Sequence, residues 1–346
     1  MKTNKRITLI AGCLFGSLLL QAQTAKLLSP RNLSRWEIPY GDYSGITPIG
    51  NRTYAIVSDK SDRDGFYVVG IRQDSLTGQV TDMYGWMAMG KETNGQAGRD
   101  AEGIAFFPTD STLWISGESD QRIVAYNQEG QALERELQVP FCLAKDKICP
   151  NYGFEALAYD AHRHLFWTVT ENVLKADGQV AAPGHEDPFP LRLQAFTPSG
   201  QPERQYTYWL DTPQAKRKGR QYAFGVVALC VLPDGQMYAL EREFDVKKHY
   251  LGSRVRQKLY RVIFENRDSL SACLSQTEYA VKKIKVAEWN TQMRLIGQRL
   301  ANYEGLCPGI VLKDGRQTLL MISDSQHGYG RKWCHLKDWI RVVILP

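Results

Sequence analysis

Six carboxylates recur at matching places along this 346-residue chain. Glu102, Glu155 and Glu304 sit inside one short phrase, which reads Ala101-Glu-Gly-Ile-Ala105, Phe154-Glu-Ala-Leu-Ala158 and Tyr303-Glu-Gly-Leu-Cys307. Each phrase opens an apolar run. A second run follows and closes on another acid: Trp114-Ile-Ser-Gly-Glu118, Trp167-Thr-Val-Thr-Glu171 and Met321-Ile-Ser-Asp324. Carboxylates gathered in one place cannot all stay ionised without compensation. A hard divalent cation supplies it, and Ca²⁺ takes about six to eight oxygen ligands. The pattern points to a Ca²⁺ site with Glu102, Glu155, Glu304, Glu118, Glu171 and Asp324 as its ligands. The competing reading is structural: a Glu-Gly pair at a strand start that only bonds the backbone of the next repeat.

The elements around these residues read as strands almost throughout. Short runs of β-branched and aromatic residues alternate with turn chemistry, as at Pro198-Ser-Gly200, Pro233-Asp-Gly235 and Lys313-Asp-Gly315. No long stretch keeps an apolar period of about 3.6 residues. A repeat spaced in this way decides the architecture. Aligned on the acidic phrase, the chain divides into five units of four strands: about 44–89, 101–140, 154–211, 226–289 and 304–345. The last unit is one strand short, and Leu33–Ile38 is a strand with no unit of its own. Pairing the two would close a ring and hide both sheet edges. The expected fold is an all-β β-propeller of five four-stranded blades, its N- and C-terminal strands sharing one blade. Long third and fourth units leave six blades open, but their excess (181–188, 212–220, 245–256) reads as polar loop.

In such a blade the innermost strand lines a central channel and the second runs antiparallel to it. The start of the first and the end of the second then share one face, which gathers the six carboxylates at one channel mouth. Asp59, Asp100 and Glu241 or Glu243 belong there by position. Ser44 stands in the glutamate's place in blade one, and Val226 or Val227 in blade four. Loops on the same face carry Lys60, Arg63, Arg122, Arg242, Lys247, Lys248, His327, Arg331 and Lys332. Cations beside a metal suit a small anionic substrate such as a phosphate ester. His327 is the candidate general acid or base, with Arg242 and Lys248 as candidate catalytic cations. His162 and His164 fall in a turn on the opposite face. The motifs of serine nucleophiles, zinc proteases, phosphate-binding loops and Cys-x-x-Cys redox sites are absent from the sequence.

Residues 1–22 read as a signal peptide. Lys2, Lys5 and Arg6 precede the uncharged run Ile7–Leu20, and small residues follow at Ala22 and Ala25. Residues 23–346 then form a single domain, exported to the periplasm or secreted. A lipid anchor at Cys13, in Ile10-Ala-Gly-Cys13, is the alternative. No later run is long enough to span a bilayer. Losing the three cations takes the net charge from +6 to +3, which gives no reason to expect nucleic acid. The mature chain keeps six cysteines in an oxidising compartment. Cys142 and Cys149 are expected to pair across a short loop, and Cys230 and Cys307 to be buried thiols. The partners of Cys273 and Cys334 stay open. A monomer is the expected state.

Taken together, Asp100-Ala-Glu-Gly-Ile-Ala105, Asn151-Tyr-Gly-Phe-Glu-Ala-Leu-Ala158, Leu240-Glu-Arg-Glu243 and Asn302-Tyr-Glu-Gly-Leu306 resemble the phytase-like family of exported bacterial propellers, described by esterase-like activity. The resemblance spans nearly the whole mature chain. It implies a metal-dependent phosphoesterase or esterase with Glu102, Glu155 and Glu304 as ligands, supported by Glu118, Glu171 and Asp324. Ala156 departs from the glycine of the other copies. Gluconolactonase-like propellers share the Glu-Gly phrase and suggest a lactonase instead, and a non-catalytic binding propeller is a third reading.

Overall fold

A computed structural model describes residues 25–94, 98–249, 251–265, 273, 279–294, 300–326 and 337–346. His327, Arg331, Lys332, Cys334 and the signal sequence lie outside them. Four antiparallel sheets have four strands each and a fifth is completed by the N-terminal segment, giving a five-bladed propeller. From channel to rim, blade one runs Tyr43–Gly50, Thr53–Ser58, Arg63–Gln73 and Val80–Glu92. Blades two to five open on Ala101–Phe107, Phe154–Asp160, Gln221–Val231 and Asn302–Val311. Each inner strand touches the next around the ring, and the last returns to the first.

Burial follows this geometry. A blade's inner strands are sandwiched between neighbours, so both faces of a strand such as Thr112–Gly117 or Leu165–Thr170 are buried. A rim strand such as Ala132–Glu136 meets water and is polar. The cores lie between blades. Trp114 of blade two meets Phe166 of blade three at 4.9 Å, and Phe107 meets Tyr159 at 5.0 Å. Ile46 and Ile56 of blade one pack with Leu320, Ile322 and Val342 of blade five. The turn at Pro233-Asp-Gly235 forms as expected, with Gly235 at φ 82, a conformation only glycine adopts freely.

Closure differs from expectation in detail. The strand Trp339–Ile344 pairs with Lys26–Leu27 and Arg31–Asn32, upstream of the predicted Leu33–Ile38. Leu33–Trp36 is instead a 3₁₀ turn, capped by the Asn32 side chain, which accepts from Ser34 N at 2.8 Å. Leu33 and Trp36 are three residues apart, the spacing that aligns side chains in a 3₁₀ turn, and both enter the blade-one core. Blade four also differs. Met237–Val246 and Arg254–Ile263 carry the hairpin into the segment expected to be loop.

The disulfide expected between Cys142 and Cys149 is replaced by Cys142–Cys273. Cys149 is a buried thiol, as are Cys230 and Cys307, the last two as expected. The bridge ties the segment before blade three to the outer loop of blade four, stepping over all of blade three.

Candidate functional site

The repeated glutamate occupies a β-bulge. In blade three, Phe154 pairs with Thr170 and Ala156 with Val169, leaving Glu155 without an opposite residue. The same skip isolates Ser44, Val227 and Glu304, and in blade two it falls at Glu102-Gly103. A bulge adds one residue to one strand and re-aims its side chain. Ser44, Glu155, Val227 and Glu304 thereby line a hollow where the inner strands converge.

The glycine after it has a separate task. A Cβ on Gly103 would lie 2.7 Å from the Glu155 carbonyl oxygen of the next blade. The phrase thus divides its tasks: the glutamate sits at the bulge, and the glycine lets adjacent blades approach. Gly103→Ala should cost about 1–3 kcal/mol of stability, the range for overpacked sites. Unfolding in denaturant measures it, and an unchanged midpoint would show that the blades can separate freely.

The second ring is set by register: Asp59, Glu118, Glu171, Arg242 and Asp324 each follow the residue that pairs with the position just before the bulge. Four are acids and the fifth is a buried arginine. Arg242 donates to Glu171 at 2.5 Å, to Glu304, and to Asn302 at 3.3 Å. Glu241 and Glu243 face away from the channel, as neighbours in a strand must. The first meets Tyr208 and Lys283, and the second meets Tyr222 and Arg256.

Charge is unevenly compensated. Glu102 and Glu155 accept no side-chain hydrogen bond from any described residue, and burial, then acidic neighbours, holds both well above the usual carboxylate range. Burial also raises Glu118 and lifts Glu304 to about 7 despite Arg242. Asp324 is raised by burial and by Glu304, Asp59 and Asp42.

At the seam where the ring closes, Asp42, Asp59 and Asp324 each place a carboxylate oxygen within 4.8 Å of the others. The backbone enforces this. Asp42 bridges to Asp324, and Asp59 N donates to the Asp42 carbonyl at 3.0 Å. Asn302 donates to Asp324 at 3.2 Å, Gln326 N donates to it at 2.6 Å, and Ser325 donates to Asp42 at 3.0 Å. A cavity of about 380 Å³ opens beside this cluster, lined by Asp42, Ser58, Lys60, Tyr67, Trp86 and Ser325 among others. A separate hollow of about 10 Å³ lies among the bulges, lined by Ser44, Glu155, Val227 and Glu304 among others. The opposite mouth is an apolar hollow.

The phytase-like profile, described as esterase-like activity of phytase, matches residues 38–327. The chain belongs to the phytase-like family. No curated protein matches it. Among solved structures it is similar to a streptogramin B lyase (12% identity, 93% of this chain and 98% of that one, TM-score 0.36). A virginiamycin B lyase from Staphylococcus aureus (10%, 93% and 100%, 0.36) and a luciferin-regenerating enzyme (10%, 92% and 96%, 0.40) are also similar. At these identities and TM-scores none of the three bears on the chemistry of this chain.

Of the six carboxylates singled out in the sequence, this phytase-like chain places only Asp324 in the tight seam cluster; Glu171 and Glu304 go to Arg242. Arg242 is 5% exposed and buried beneath the mouth, whereas Lys248 is exposed beyond blade four. Lys60 pairs with Asp59 and Asp100, Arg63 with Glu92, Arg122 with Glu136 and Lys247 with Asp245. Sequence reasoning missed Asp42. Register makes it the blade-one counterpart of Asp100 and Asn302, the residue two before each bulge. That alignment was the signal available.

Proposed function

We propose that this chain is a metal-dependent ester hydrolase. It acts on a small anionic ester, a phosphate ester being one example, and a Ca²⁺ ion is held by Asp42, Asp59 and Asp324. The observation that carries this reading is the convergence of those three carboxylates at the closing seam, beside the cavity. An all-oxygen, carboxylate-rich donor set suits a hard cation. When bound, the cation would polarise the ester oxygen and stabilise the charge that develops there.

The chain's own residues do the remaining work. Asn302 and Gln326 orient Asp324. Arg242 compensates the charge of Glu171 and Glu304. Glu102 and Glu155, displaced toward protonation, can take up or release a proton at the bulges, inside the channel. His327 and Lys248 are the remaining catalytic candidates. Because Lys60, Arg63 and Lys247 already carry acidic partners, the bound cation is left to meet the negative charge of the substrate. A lactone, which brings none, is the second reading. The Cys142–Cys273 disulfide supports an exported protein in an oxidising compartment.

Calorimetric titration of chelator-stripped protein with Ca²⁺ tests the site. Asp59→Asn should weaken binding at least about tenfold, the scale seen even for residues one step removed from a metal. Turnover of p-nitrophenyl phosphate, p-nitrophenyl acetate or gluconolactone should vanish with chelator and return with Ca²⁺. Unchanged Ca²⁺ affinity in Asp59→Asn, with no turnover of any of the three, would leave the carboxylates a structural role only.

A further inference from the structure

The cavity beside the seam is built unlike an anion site. One wall is aromatic. Tyr67 and Trp86 stack at 4.8 Å with their planes 17° apart, and Tyr43 meets the Trp86 ring edge-on at 5.4 Å. Tyr43 is fixed in turn, its hydroxyl donating to the Pro39 carbonyl at 2.7 Å. The Tyr67 hydroxyl lies 3.0 Å from that of Ser61. Such a wall is rigid before any ligand arrives, which lowers the ordering cost of binding.

The rest of the lining is rich in acceptors and short of free positive charge. Ser58, Ser61, Ser325, Asp42 and Asp62 supply hydroxyl and carboxylate oxygens. Lys60 is shared between Asp59 and Asp100, at 3.1 and 3.2 Å. Arg63 is held by Glu92 at 2.6 Å and by the Gly90 carbonyl at 3.3 Å. An anionic group entering here would find its cations already neutralised. A purely aromatic ligand would strand carboxylates against an apolar surface, at the cost of burying polar groups without partners. A ring with one apolar face and hydroxyl donors around its edge satisfies both walls.

We propose that this cavity is a carbohydrate subsite, in which a single sugar ring lies on the Tyr67–Trp86 wall and donates hydroxyl hydrogen bonds to Asp62 and the serines. The volume of about 380 Å³ falls in the range of small-ligand pockets, roughly 300–1,000 Å³. The lining includes the seam carboxylate Asp42, with Ser58 and Ser325 beside it, so the sugar sits next to the place where an ester would be cleaved. The hydrolase reading is needed only for that last step, which makes the substrate an esterified sugar. Binding of the ring itself does not depend on it.

The test uses the Ca²⁺-loaded full-length mature protein and a panel of methyl glycosides of glucose, galactose, mannose and N-acetylglucosamine. Saturation-transfer NMR and calorimetry should detect at least one of them, with a Kd on the order of 1 mM, about 4 kcal/mol. Trp86→Ala should weaken it tenfold or more. Asp62→Asn, an exposed position whose replacement leaves the fold intact, should weaken it several-fold with the thermal midpoint and Ca²⁺ affinity unchanged. Failure of every glycoside to bind overturns the proposal, as does wild-type affinity in Trp86→Ala, or binding of phenol or inorganic phosphate in their place. Two further outcomes separate the subsite from the hydrolase reading. Glycoside binding without turnover of acetylated or phosphorylated sugars keeps the subsite and removes the reaction. Turnover of p-nitrophenyl acetate that Trp86→Ala leaves intact, with no glycoside bound, keeps the reaction and removes the subsite.

Discussion

Arg242→Met should unfold at markedly lower denaturant, with a loss of about 3–5 kcal/mol, the cost of breaking a buried ion pair by removing one partner. The guanidinium serves Glu171 and Glu304 together and reaches Asn302. Burial and the neighbouring acids already push the Glu155 and Glu304 carboxyls upward. Without Arg242 these groups must take up protons or expel one another. Arg242→Lys keeps the charge but loses the planar fork that spans two carboxylates, so its cost should lie between wild type and methionine. In the double variant Arg242→Met, Glu304→Gln, part of the loss should return, because one uncompensated carboxylate is gone. A double variant no more stable than Arg242→Met would mean that the arginine acts by packing and not by charge.

The second large effect concerns the disulfide. Cys273→Ser should cost about 2–5 kcal/mol, near the top of that span because the bridged cysteines are 131 residues apart. Longer loops lose more chain entropy when closed in the unfolded state. The linkage itself is read by mass spectrometry of a non-reduced digest. A peptide joining Cys142 to Cys273 is expected, and one joining Cys142 to Cys149 would restore the short-range pairing that the sequence suggests.

That contrast shows what the sequence can and cannot convey. The propeller was legible because the phrase around Glu102, Glu155 and Glu304 recurs, and the antiparallel hairpin then places the acids on one face. The bulge was not legible, since it is a relation between two strands and leaves no mark in either alone. Nor was the ring position of Arg242. Leu240-Glu-Arg-Glu243 offers an acid on each side of it, and a slip of one residue exchanges the faces of a strand. Only the pairing of Val226 with Glu241 settles which residue meets the channel. Asp42, Tyr67 and Trp86 escaped notice for a related reason. Asp42 and Trp86 come from the first and last parts of blade one, and the cavity exists only once that blade meets blade five.

The closing seam also has a consequence for how the protein is made. Lys26 pairs with Ile344 and Leu27 with Val343, so the fifth sheet stays incomplete until synthesis has passed those residues. Pairings between residues so far apart in sequence form slowly, and until then the outer edge of Trp339–Ile344 stays open to whatever is nearby. The carboxylates of Asp42 and Asp324 meet where blade five packs against blade one. The chain therefore assembles its candidate cation site only once its first and last blades meet, and an unfinished ring lacks it.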